Sequence, residues 1–448
     1  MDLKGKKVLV VGLGVTGISL VKLLVRMGAV VTATDAAPPE KLTGAVNALR
    51  EYPIPLDLGG HREETFLKHD LIVISPGVLH DLPVLQMARA SGARVMGELD
   101  LASQFIKVPV IAVTGTNGKT TVTTLIGEMM KTAGIPAFVG GNIGVPVSEY
   151  LLASKGEEVL VLEVSSFQLD TLQYFRPDVG VLLNVSDDHL DRYPNFEKYL
   201  ASKARVFAFQ KKGDVAILNM DDPPCRSLAG KVPSRLVPYS LKESFQNGGM
   251  PGEGGWVTRW PEGEHIYSWK NFKLPGHHNL ENALAAILAA EAVSVPGVAI
   301  QKTLDHFAGL PHRIQFVREI QGVRFYDDSK ATNVGAVVRA LEGFKTPVHL
   351  IAGGLDKMGS YAPLEAPVQK KVKTLILIGE AREKIRSALG NLSETLEARD
   401  MEEAVRLAVS RARPGEVVLL SPACASFDMF ESYVHRGRVF QDAVQKLG

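Results

Sequence analysis

An apolar run that feeds a short glycine-rich loop, at residues 110–121, constrains this chain more than any other segment. The loop ends in Gly-Lys-Thr-Thr, where a helix is expected to begin. Glycines let backbone N–H groups approach a phosphate, and a helix N-terminus adds partial positive charge. An ordinary strand–turn–helix is the alternative, but Gly-Lys-Thr-Thr directly after a strand is typical of phosphate loops. The segment therefore predicts a phosphate site.

Lys119 and Thr120 supply the chemistry of this predicted site. Lys119 can reach the terminal phosphates of a nucleotide, and the Thr120 hydroxyl can bind Mg²⁺. The usual phosphate loop has a glycine five residues before Gly118, whereas this chain has Val113 there. The loop is therefore a shorter form, Thr-Gly-Thr-Asn-Gly-Lys-Thr, at residues 114–120.

Composition excludes several classes of protein. The chain has 448 residues, of which 46% are hydrophobic and 22% charged, with a formal net charge of +1. This balance gives no bulk electrostatic reason to expect binding of nucleic acid or of a membrane surface. No apolar run reaches the ~18 residues of a membrane span, and the first residues lack a signal-peptide core. Cys225 and Cys424 form neither a disulfide framework nor a zinc pattern, so we expect a cytoplasmic protein.

Short β-branched runs alternate with helical stretches along the chain, which favours α/β domains with parallel sheets. We predict three domains, at residues 1–97, 98–309 and 310–448. The first and third are expected to be Rossmann-like, and the central one to be a P-loop-type ATPase domain with a mostly parallel sheet. A glycine-rich stretch at 247–255 is predicted to be a surface turn between strands.

The predicted first domain contains Gly12-x-Gly-x-x-Gly17 after a strand, and Asp35 ends the next strand. This pattern fits a dinucleotide fingerprint, so NAD(P) is one candidate ligand. The same geometry holds any pyrophosphate, including that of a nucleotide sugar, because the contacts are backbone N–H groups at a helix start. The phosphate loop in the next domain favours the nucleotide sugar.

Polar side chains in the central domain are further candidates. Glu163 ends a buried strand, where ligands bind parallel sheets, although a solvent-facing strand end is the alternative. His189, flanked by three aspartates just past a strand, is a better ligand candidate than an isolated histidine. Lys203, in a helix-like stretch, would by itself be interpreted as a solvated lysine. Asn279 and Asn282 share one helix face and suit adenine edges, with helix capping as an equal alternative.

Residues 327–333 concentrate carboxylates, a hydroxyl, a cation and an amide in the predicted third domain. Turn chemistry explains part of this composition but not its lysine. Segments at 353–357 and 421–427 also follow predicted strands, and such loops often carry binding residues.

Several motifs, taken in order, resemble those of the Mur ligase family. They are the loop at 114–120, Gly-Gly-Asn-Ile-Gly at 140–144, Glu-Val-Ser-Ser-Phe-Gln at 163–168, His-His-Asn at 277–279 and Leu-Pro-His-Arg at 310–313. Asp-Ser-Lys-Ala-Thr-Asn at 328–333 and Ser-Pro-Ala-Cys-Ala-Ser at 421–426 favour the member that uses D-glutamate. The resemblance extends from Gly12 to Tyr433, across all three predicted domains.

The resemblance implies ATP-dependent ligation of D-glutamate to UDP-N-acetylmuramoyl-L-alanine (UDP-MurNAc-L-Ala) through an acyl phosphate, in peptidoglycan precursor synthesis. It implies these two substrates and ATP as small-molecule partners, two Mg²⁺ ions and a carbamylated Lys203. We expect a monomer, with domain closure assembling a site that is divided between domains.

Site residues carry over from the family one at a time. Those expected at ATP are Gly115, Thr116, Asn117, Gly118, Lys119, Thr120, Thr121, Asn279, Asn282, Arg313, Asp328 and Lys330. Those expected at the UDP-linked substrate are Gly14, Val15, Thr16, Asp35, Ser75, Pro76, Gly77, Asn142, Ser165 and Gln168. Those expected at D-glutamate are Thr332, Lys357, Ser426, Phe427 and Tyr433. The implied metal ligands are Thr120, Glu163, His189 and Lys203, and the implied catalytic residues are Lys119, His189 and Lys203.

Three positions depart from the family pattern. Ala36 and Ala37 follow Asp35, so a uracil contact there would use the backbone. Leu355-Asp356 precede Lys357 where a glycine-rich turn is common, and Tyr433 replaces a common Phe. Because a metal-bound His189 cannot also act freely as a base, the proton acceptor stays unassigned.

Other functions compete with this interpretation. A sibling ligase would use another amino acid, and a folylpolyglutamate-type enzyme would add L-glutamate to folate. The nucleotide-sugar-like first domain argues against the folate enzyme. From a different class, an NAD(P)-dependent oxidoreductase with a fused regulatory phosphate-loop domain would also fit the two glycine-rich loops.

Overall fold

The computed structural model describes residues 1–154, 156–188, 192–274, 276–357 and 359–447. In these residues three separate sheets follow one another along the chain. Most strand pairs are parallel and helices alternate with strands, so the predicted α/β class is confirmed. Among the described helices, none combines the length and apolar character that crossing a membrane requires.

The first sheet has five parallel strands in the order β3-β2-β1-β4-β5. Its strands are β1 (Lys7–Val11), β2 (Val30–Asp35), β3 (Leu56–Leu58), β4 (Leu71–Ile74) and β5 (Arg94–Gly97). The helices are α1 (Val15–Arg26), α2 (Thr43–Ala48), α3 (Glu63–Leu67), α4 (Pro83–Ala90) and α5 (Glu98–Ser103), with a short 3-10 helix at Pro39–Lys41. Residues 8–11 are fully buried, because a parallel sheet is covered on both faces.

The second sheet has nine strands in the order β14-β13-β12-β11-β10-β9-β6-β8-β7. Its strands are β6 (Val110–Thr114), β7 (Ala137–Gly141), β8 (Val159–Glu163), β9 (Val179–Leu182), β10 (Val215–Asn219), β11 (Arg235–Tyr239), β12 (Gly248–Gly252), β13 (Gly255–Trp260) and β14 (Gly263–Ser268). Its helices are α6 (Lys119–Ala133), α7 (Val147–Ala153), α8 (Ser166–Leu169), α9 (Phe196–Ala204), α10 (Pro223–Arg226), α11 (His277–Glu291) and α12 (Gly297–His306), with a 3-10 helix at Arg205–Phe207. Helices α6, α11 and α12 pack together over one face of the sheet.

The glycine-rich stretch at 247–255 is mostly a strand, so the prediction of a surface turn is wrong there. Residues 248–252 form β12, which pairs antiparallel with β13. The glycines are needed for packing, since a Cβ on Gly249 would lie 2.7 Å from Leu284 Cδ1 of α11. Close approach of a helix, and not a turn, explains this composition.

The third sheet has six strands in the order β15-β16-β20-β17-β18-β19, and only the β15–β16 pair is antiparallel. Its strands are β15 (Gln315–Ile320), β16 (Val323–Asp327), β17 (Val348–Gly353), β18 (Val372–Ile378), β19 (Glu394–Glu397) and β20 (Val417–Leu420). Its helices are α13 (Val334–Gly343), α14 (Glu365–Lys371), α15 (Arg382–Leu389), α16 (Met401–Arg411) and α17 (Tyr433–Gln445), with a 3-10 helix at Ala362–Leu364. Apolar clusters lie on both faces of this sheet.

The chain enters the third unit through a strained segment. His312 and Ile314 have φ values of 61° and 45°, on either side of Arg313. Positive φ is unfavourable for a β-branched residue, so the surrounding structure must hold this segment in place. His312 is buried, and its Nδ1 lies 2.6 Å from Asp327 Oδ2 at the end of β16. This contact anchors the segment to the third sheet.

Candidate active site

The glycine-rich loop between β6 and α6 has the geometry of a phosphate cradle. Gly118 precedes the first residue of α6 with a φ of 88°, and a Cβ there would lie 2.4 Å from Asn282 Oδ1. Only glycine meets both requirements. Asn184, which follows β9, accepts from the Asn117 N–H at 2.9 Å and donates to the Asn117 carbonyl at 3.0 Å. The loop is therefore held from the neighbouring strand, by a residue that sequence analysis did not single out.

Two lysines converge on this loop. Lys119 Nζ donates to the carbonyl oxygens of Gly115 and Thr116, both at 2.9 Å, and Lys203 Nζ donates to the same Gly115 oxygen at 2.9 Å. Burial, and then the charge of Lys119, hold the pKa of Lys203 well below its ordinary value. Burial also lowers the pKa of Lys119, an effect that nearby Glu163 opposes. Lys203 is thus not a solvated helix lysine, since it is only 2% exposed.

A chain of hydrogen bonds at this loop joins the second unit to the entry of the third. Asn142 Nδ2 donates to Glu163 Oε1 at 2.9 Å, and Thr120 Oγ1 donates to Glu163 Oε2 at 2.8 Å. Arg313 Nη2, from the entry to the third unit, donates to Thr120 Oγ1 at 3.1 Å. Asn142 also lines the cavity of the first unit. Side chains of the second unit and Arg313 of the third therefore meet around one hydroxyl and one carboxylate.

The residues expected to bind metal are only partly described. Thr120 and Glu163 are in contact, and Lys203 lies close enough to Glu163 for the carboxylate to oppose the fall in its pKa. His189 lies outside the described residues. Within the described ranges, no group of three or more His, Cys, Asp or Glu side chains could hold a metal ion. A hydroxyl beside a carboxylate is nevertheless a hard oxygen pair of the kind that Mg²⁺ prefers.

A cavity between α6, α11 and the third unit brings many of the predicted ATP residues together. Those on its wall are Asn117, Gly118, Thr121, Asn279, Asn282, Arg313 and Asp328. Gly115, Thr116, Lys119 and Thr120 belong to the adjoining loop and helix start. Among the described residues, Asn117 Nδ2 and Arg313 Nε are buried without a hydrogen-bond partner. Both side chains belong to residues on the cavity wall.

Burial shifts the pKa values of two titratable groups on this wall. The pKa of Asp328 rises to about 7, mainly through desolvation, while Ser421 Oγ donates to its Oδ2 at 2.8 Å. The pKa of His278 falls to about 4 for the same reason, with Arg339 and Arg313 adding to the effect. His278 and Arg339 also line the cavity but were not predicted. The motif at 277–279 contained the signal for His278, whereas nothing in the sequence marked Arg339.

The first unit contains a cavity of about 610 Å³ at the carboxyl ends of β1, β2 and β4. Predicted substrate residues on its wall are Gly14, Val15, Thr16, Asp35, Ser75, Pro76, Gly77 and Asn142. Ser165 and Gln168 are not on this wall. They form a capping box at the start of α8, where the Ser165 N–H donates to Gln168 Oε1 at 3.0 Å.

Asp35 holds the glycine-rich loop of the first unit. Its Oδ2 accepts from the Leu13 N–H at 2.7 Å, and its Oδ1 accepts from the Ala37 N–H at 2.8 Å. A ribose hydroxyl, which the acidic residue of a dinucleotide site would bind, would have to share these oxygens. Both carboxylate oxygens of Asp35 thus already accept hydrogen bonds from the backbone.

A third cavity, of about 260 Å³, lies between the second and third units and contains Lys357 on its wall. Lys357 Nζ lies 3.7 Å from Asp188 Oδ1, and Asn333 Nδ2 donates to Asp188 Oδ2 at 3.1 Å. The other residues expected at D-glutamate do not line this cavity. Among them, the Tyr433 hydroxyl accepts from Nζ of Lys330, a residue expected at ATP, at 3.0 Å, and Ser426 is buried.

Thr332 and Phe427 complete the predicted amino-acid set. The Thr332 N–H donates to the Lys330 carbonyl at 2.8 Å, which places Thr332 in a tight turn before α13. Phe427 is 71% exposed beside the buried Ser426. Of the five residues, the structure therefore places only Lys357 on the wall of this cavity.

Known proteins of one family match the whole length of the chain. The matching family models are described as Mur ligase MurD-like N-terminal domain at residues 6–97, Mur ligase middle domain at 113–290 and Mur ligase glutamate ligase domain at 312–424. A protein from Desulfatibacillum aliphaticivorans is 49% identical, over 100% of both chains. One from Geotalea daltonii is 47% identical, over 100% of this chain and 99% of its own. Both are named UDP-N-acetylmuramoylalanine--D-glutamate ligase.

Solved structures with lower identity share the fold. A pseudomurein peptide ligase type C from Methanothermus fervidus has a TM-score of 0.64 at 20% identity, over 99% of this chain and 100% of its own. A UDP-N-acetylmuramate-alanine ligase from Thermotoga maritima has a TM-score of 0.61 at 19% identity, again over 99% of this chain and 100% of its own. At such identity the likeness concerns the fold alone. The three family models in order, together with near-half identity over the full length, show that this chain belongs to the Mur ligase family.

Proposed function

We propose that this protein ligates D-glutamate to UDP-MurNAc-L-Ala with ATP, giving UDP-MurNAc-L-Ala-D-Glu for peptidoglycan synthesis. The hydrogen-bond chain from Asn142 through Glu163 and Thr120 to Arg313 is the observation that carries the proposal. It connects a cavity suited to a nucleotide sugar, a phosphate loop and the third unit. The two close relatives carry the name of this activity.

The chemistry explains why the three cavities must be neighbours. A carboxylate is a poor electrophile, so the L-alanine carboxylate takes the γ-phosphoryl group of ATP and becomes an acyl phosphate, with release of ADP. The amine of D-glutamate then attacks the acyl carbon, the amide forms, and phosphate leaves. Lys119 and Arg313 would offset the repulsion between carboxylate and phosphate, because both are cations at the loop.

Mg²⁺ is proposed at Thr120 and Glu163, where it would neutralise phosphate charge. We propose that Lys203 carries a carbamate, formed when its neutral amine adds to CO₂ and releases a proton. The lowered pKa of Lys203 supports this step, because only the neutral amine reacts. A carbamate replaces a cation with an oxygen ligand suited to Mg²⁺. His189 is proposed to complete this set.

The proposed division of labour follows the chain. Residues 1–97 would bind the UDP-linked substrate, 98–309 would bind ATP, and 310–448 would bind D-glutamate and complete the ATP site. One copy of the chain supplies all three cavities, which supports action as a monomer. The substrates, ATP and a nucleotide sugar, support a cytoplasmic location.

Phosphate release provides the test. The purified protein is supplied with ATP, Mg²⁺ and UDP-MurNAc-L-Ala, and phosphate is measured with D-glutamate, L-glutamate, L-lysine or meso-diaminopimelate. We expect release to require both UDP-MurNAc-L-Ala and D-glutamate. Comparable turnover with L-lysine or meso-diaminopimelate and none with D-glutamate would assign a sibling activity. Protein-dependent reduction of NAD⁺ without ligation would assign the chain to the oxidoreductases.

A further inference from the structure

Two loops of the third unit are joined beside the Lys357 cavity. The Leu355 N–H donates to the Ala425 carbonyl at 3.0 Å, and the Ala425 N–H donates to the Leu355 carbonyl at 3.1 Å. Lys357 lies two residues beyond Leu355, and Ser426 follows Ala425 directly. This backbone bridge therefore fixes the segments that carry two of the residues expected at D-glutamate.

Side chains fasten the same loop on both sides of Lys357. The Tyr361 hydroxyl donates to Asp356 Oδ1 at 3.0 Å and lies 3.1 Å from Cys424 Sγ. Lys384 Nζ, from α15, donates to the other oxygen of Asp356 at 2.7 Å. Tyr361 is 4% exposed and Cys424 is fully buried. Asp356 and Tyr361 thus connect the two ends of the loop to each other and to the segment at 421–426.

Lys357 itself is less constrained than the loop behind it. Its side chain is 31% exposed, and its ammonium lies 3.7 Å from Asp188 Oδ1, longer than a hydrogen bond. The lysine side chain is flexible, because its four methylene carbons are joined by rotatable bonds. The region that its ammonium can reach therefore depends on where the backbone is held. Asp356 and Tyr361 set that position.

We propose that Asp356 and Tyr361 are positioning residues that hold Lys357 where it meets a carboxylate of the incoming amino acid, and so set the length of dicarboxylate accepted. This inference rests on the proposed function, because it takes D-glutamate as the amino acid. The phosphate loop lies on another sheet, so moving Lys357 should weaken amino-acid binding without altering ATP binding. The expected signature is a change confined to one Michaelis constant.

Tyr361→Phe is the sharpest variant, because it removes one hydroxyl and keeps the buried ring. Asp356→Ala removes the carboxylate that accepts from the Tyr361 hydroxyl and from Lys384 Nζ. Tyr267→Phe is the matched control, since Tyr267 is 3% exposed and its hydroxyl donates to Glu291 Oε1 at 2.8 Å, outside the site. Steady-state kinetics with each substrate varied in turn and thermal unfolding are measured for all variants and for the Tyr361→Phe/Asp356→Ala double variant.

We expect the KM for D-glutamate to rise about tenfold in Tyr361→Phe, which is the size of effect that losing one buried hydrogen bond produces. The kcat and the KM for ATP should stay within about twofold of wild type, and discrimination against D-aspartate should fall. The KM for D-glutamate of the double variant should be no higher than that of Asp356→Ala alone, because both substitutions remove the same hydrogen bond between Tyr361 and Asp356. Tyr267→Phe should leave every constant unchanged.

Three results separate this inference from the function on which it rests. An active wild type whose folded Tyr361→Phe and Asp356→Ala variants keep the wild-type KM for D-glutamate would overturn the inference alone. Equal increases in all three Michaelis constants would also overturn it, because they would indicate a general loss of structure. A wild type that releases no phosphate with D-glutamate would overturn the proposed function, and the inference with it.

Discussion

The molecule has two glycine-rich loops that each join a strand to a helix, and they lie in different chemical surroundings. One follows β1 in the first unit and the other follows β6 in the second, and each precedes a helix. The glycines that precede the two helices differ in backbone conformation, since Gly14 has a φ of −70° and Gly118 a φ of 88°. Asp35 Oδ2 accepts from the Leu13 N–H of the first loop, and Ser75 Oγ donates to the Gly12 carbonyl at 2.8 Å. No lysine or arginine is among the described residues that line the cavity there.

The second loop is surrounded by charge. Lys119 and Lys203 converge on one carbonyl oxygen, with Glu163 and Arg313 close by. Backbone N–H groups are sufficient to hold a pyrophosphate that stays intact. Moving a phosphoryl group also requires compensation for the charge that develops. We infer that the first loop holds its substrate and the second one activates it, a difference set by side chains.

The largest effect should come from the second loop through Lys203. We expect Lys203→Ala to lower turnover by about three decades, because losing a metal ligand forfeits several kcal/mol of charge stabilisation. Lys203→Arg should do no better, since it keeps a cation where a carbamate is proposed. Lys198→Ala, on the exposed side of the same helix, is the matched control. NMR with ¹³C-bicarbonate should detect the carbamate.

Depletion of CO₂ tests the same residue without relying on a loss of folding. Wild-type activity should fall in CO₂-free buffer and return when bicarbonate is added. Full activity of Lys203→Arg under those conditions would show that no carbamate is needed. A modified Lys203 would then no longer distinguish the second loop from the first.

Lys119→Ala should follow, with a fall in turnover of roughly two decades or more, the size of losing one preorganised electrostatic contact. The fold should survive, because the Lys119 ammonium donates only to carbonyl oxygens of the loop in the described contacts. Lys131→Ala at the other end of α6 is the control, since that side chain is 77% exposed. Wild-type turnover in a folded Lys119→Ala protein would remove the distinction between the loops.

In the first loop we expect an effect on binding only. Asp35→Ala should raise the KM for UDP-MurNAc-L-Ala about tenfold, because two backbone N–H groups lose a charged acceptor. The kcat and the KM for ATP should be unchanged, and Asp35→Asn should be milder because its amide oxygen can replace one acceptor. Asp70→Ala, exposed in the same unit, is the control. A selective fall in kcat would show that this loop also takes part in the chemistry.

The smallest expected effect concerns stability near the second loop. Burial raises the pKa of Asp328 to about 7, above its unfolded value of about 3.9. A raised carboxyl pKa means that the folded state binds this proton more tightly, so its stabilising effect is complete below the unfolded pKa and disappears as pH rises through about 7. Asp328→Asn cannot titrate. Its apparent Tm relative to wild type should therefore increase by roughly 2–4 °C between pH 5 and 8.

Thermal unfolding at several pH values provides the measurement for Asp328→Asn. The exposed Asp70→Asn variant should show no such trend. A constant Tm difference across this range would show that Asp328 is not tuned by burial. Asp328 would still lie on the wall of the cavity beside the second loop, but its pKa would not be raised by burial.

Local patterns in the sequence were sufficient for most of the fold. Unbroken apolar runs predicted buried parallel strands such as β6, β8 and β10, because both faces of those strands are covered. The stretch at 247–255 was interpreted wrongly, since glycine marks both turns and close packing and the sequence does not show Leu284 above Gly249. Strand order and the packing partner are properties of the assembled sheet.

For the candidate site, the sequence by itself determined the loop chemistry, because a lysine and a hydroxyl placed after glycines at a helix start depend only on neighbouring residues. Motif resemblance added Lys203 and Arg313, whose distances from the loop in sequence hide their contacts with it. Only the tertiary structure decided that Lys203 and Lys119 donate to the same carbonyl oxygen, that Asp35 accepts from backbone N–H groups, and that Asp356 and Tyr361 hold the loop of Lys357. The physical reason is that pKa values, hydrogen-bond partners and the place of a flexible lysine are set by burial and by groups far apart in the chain.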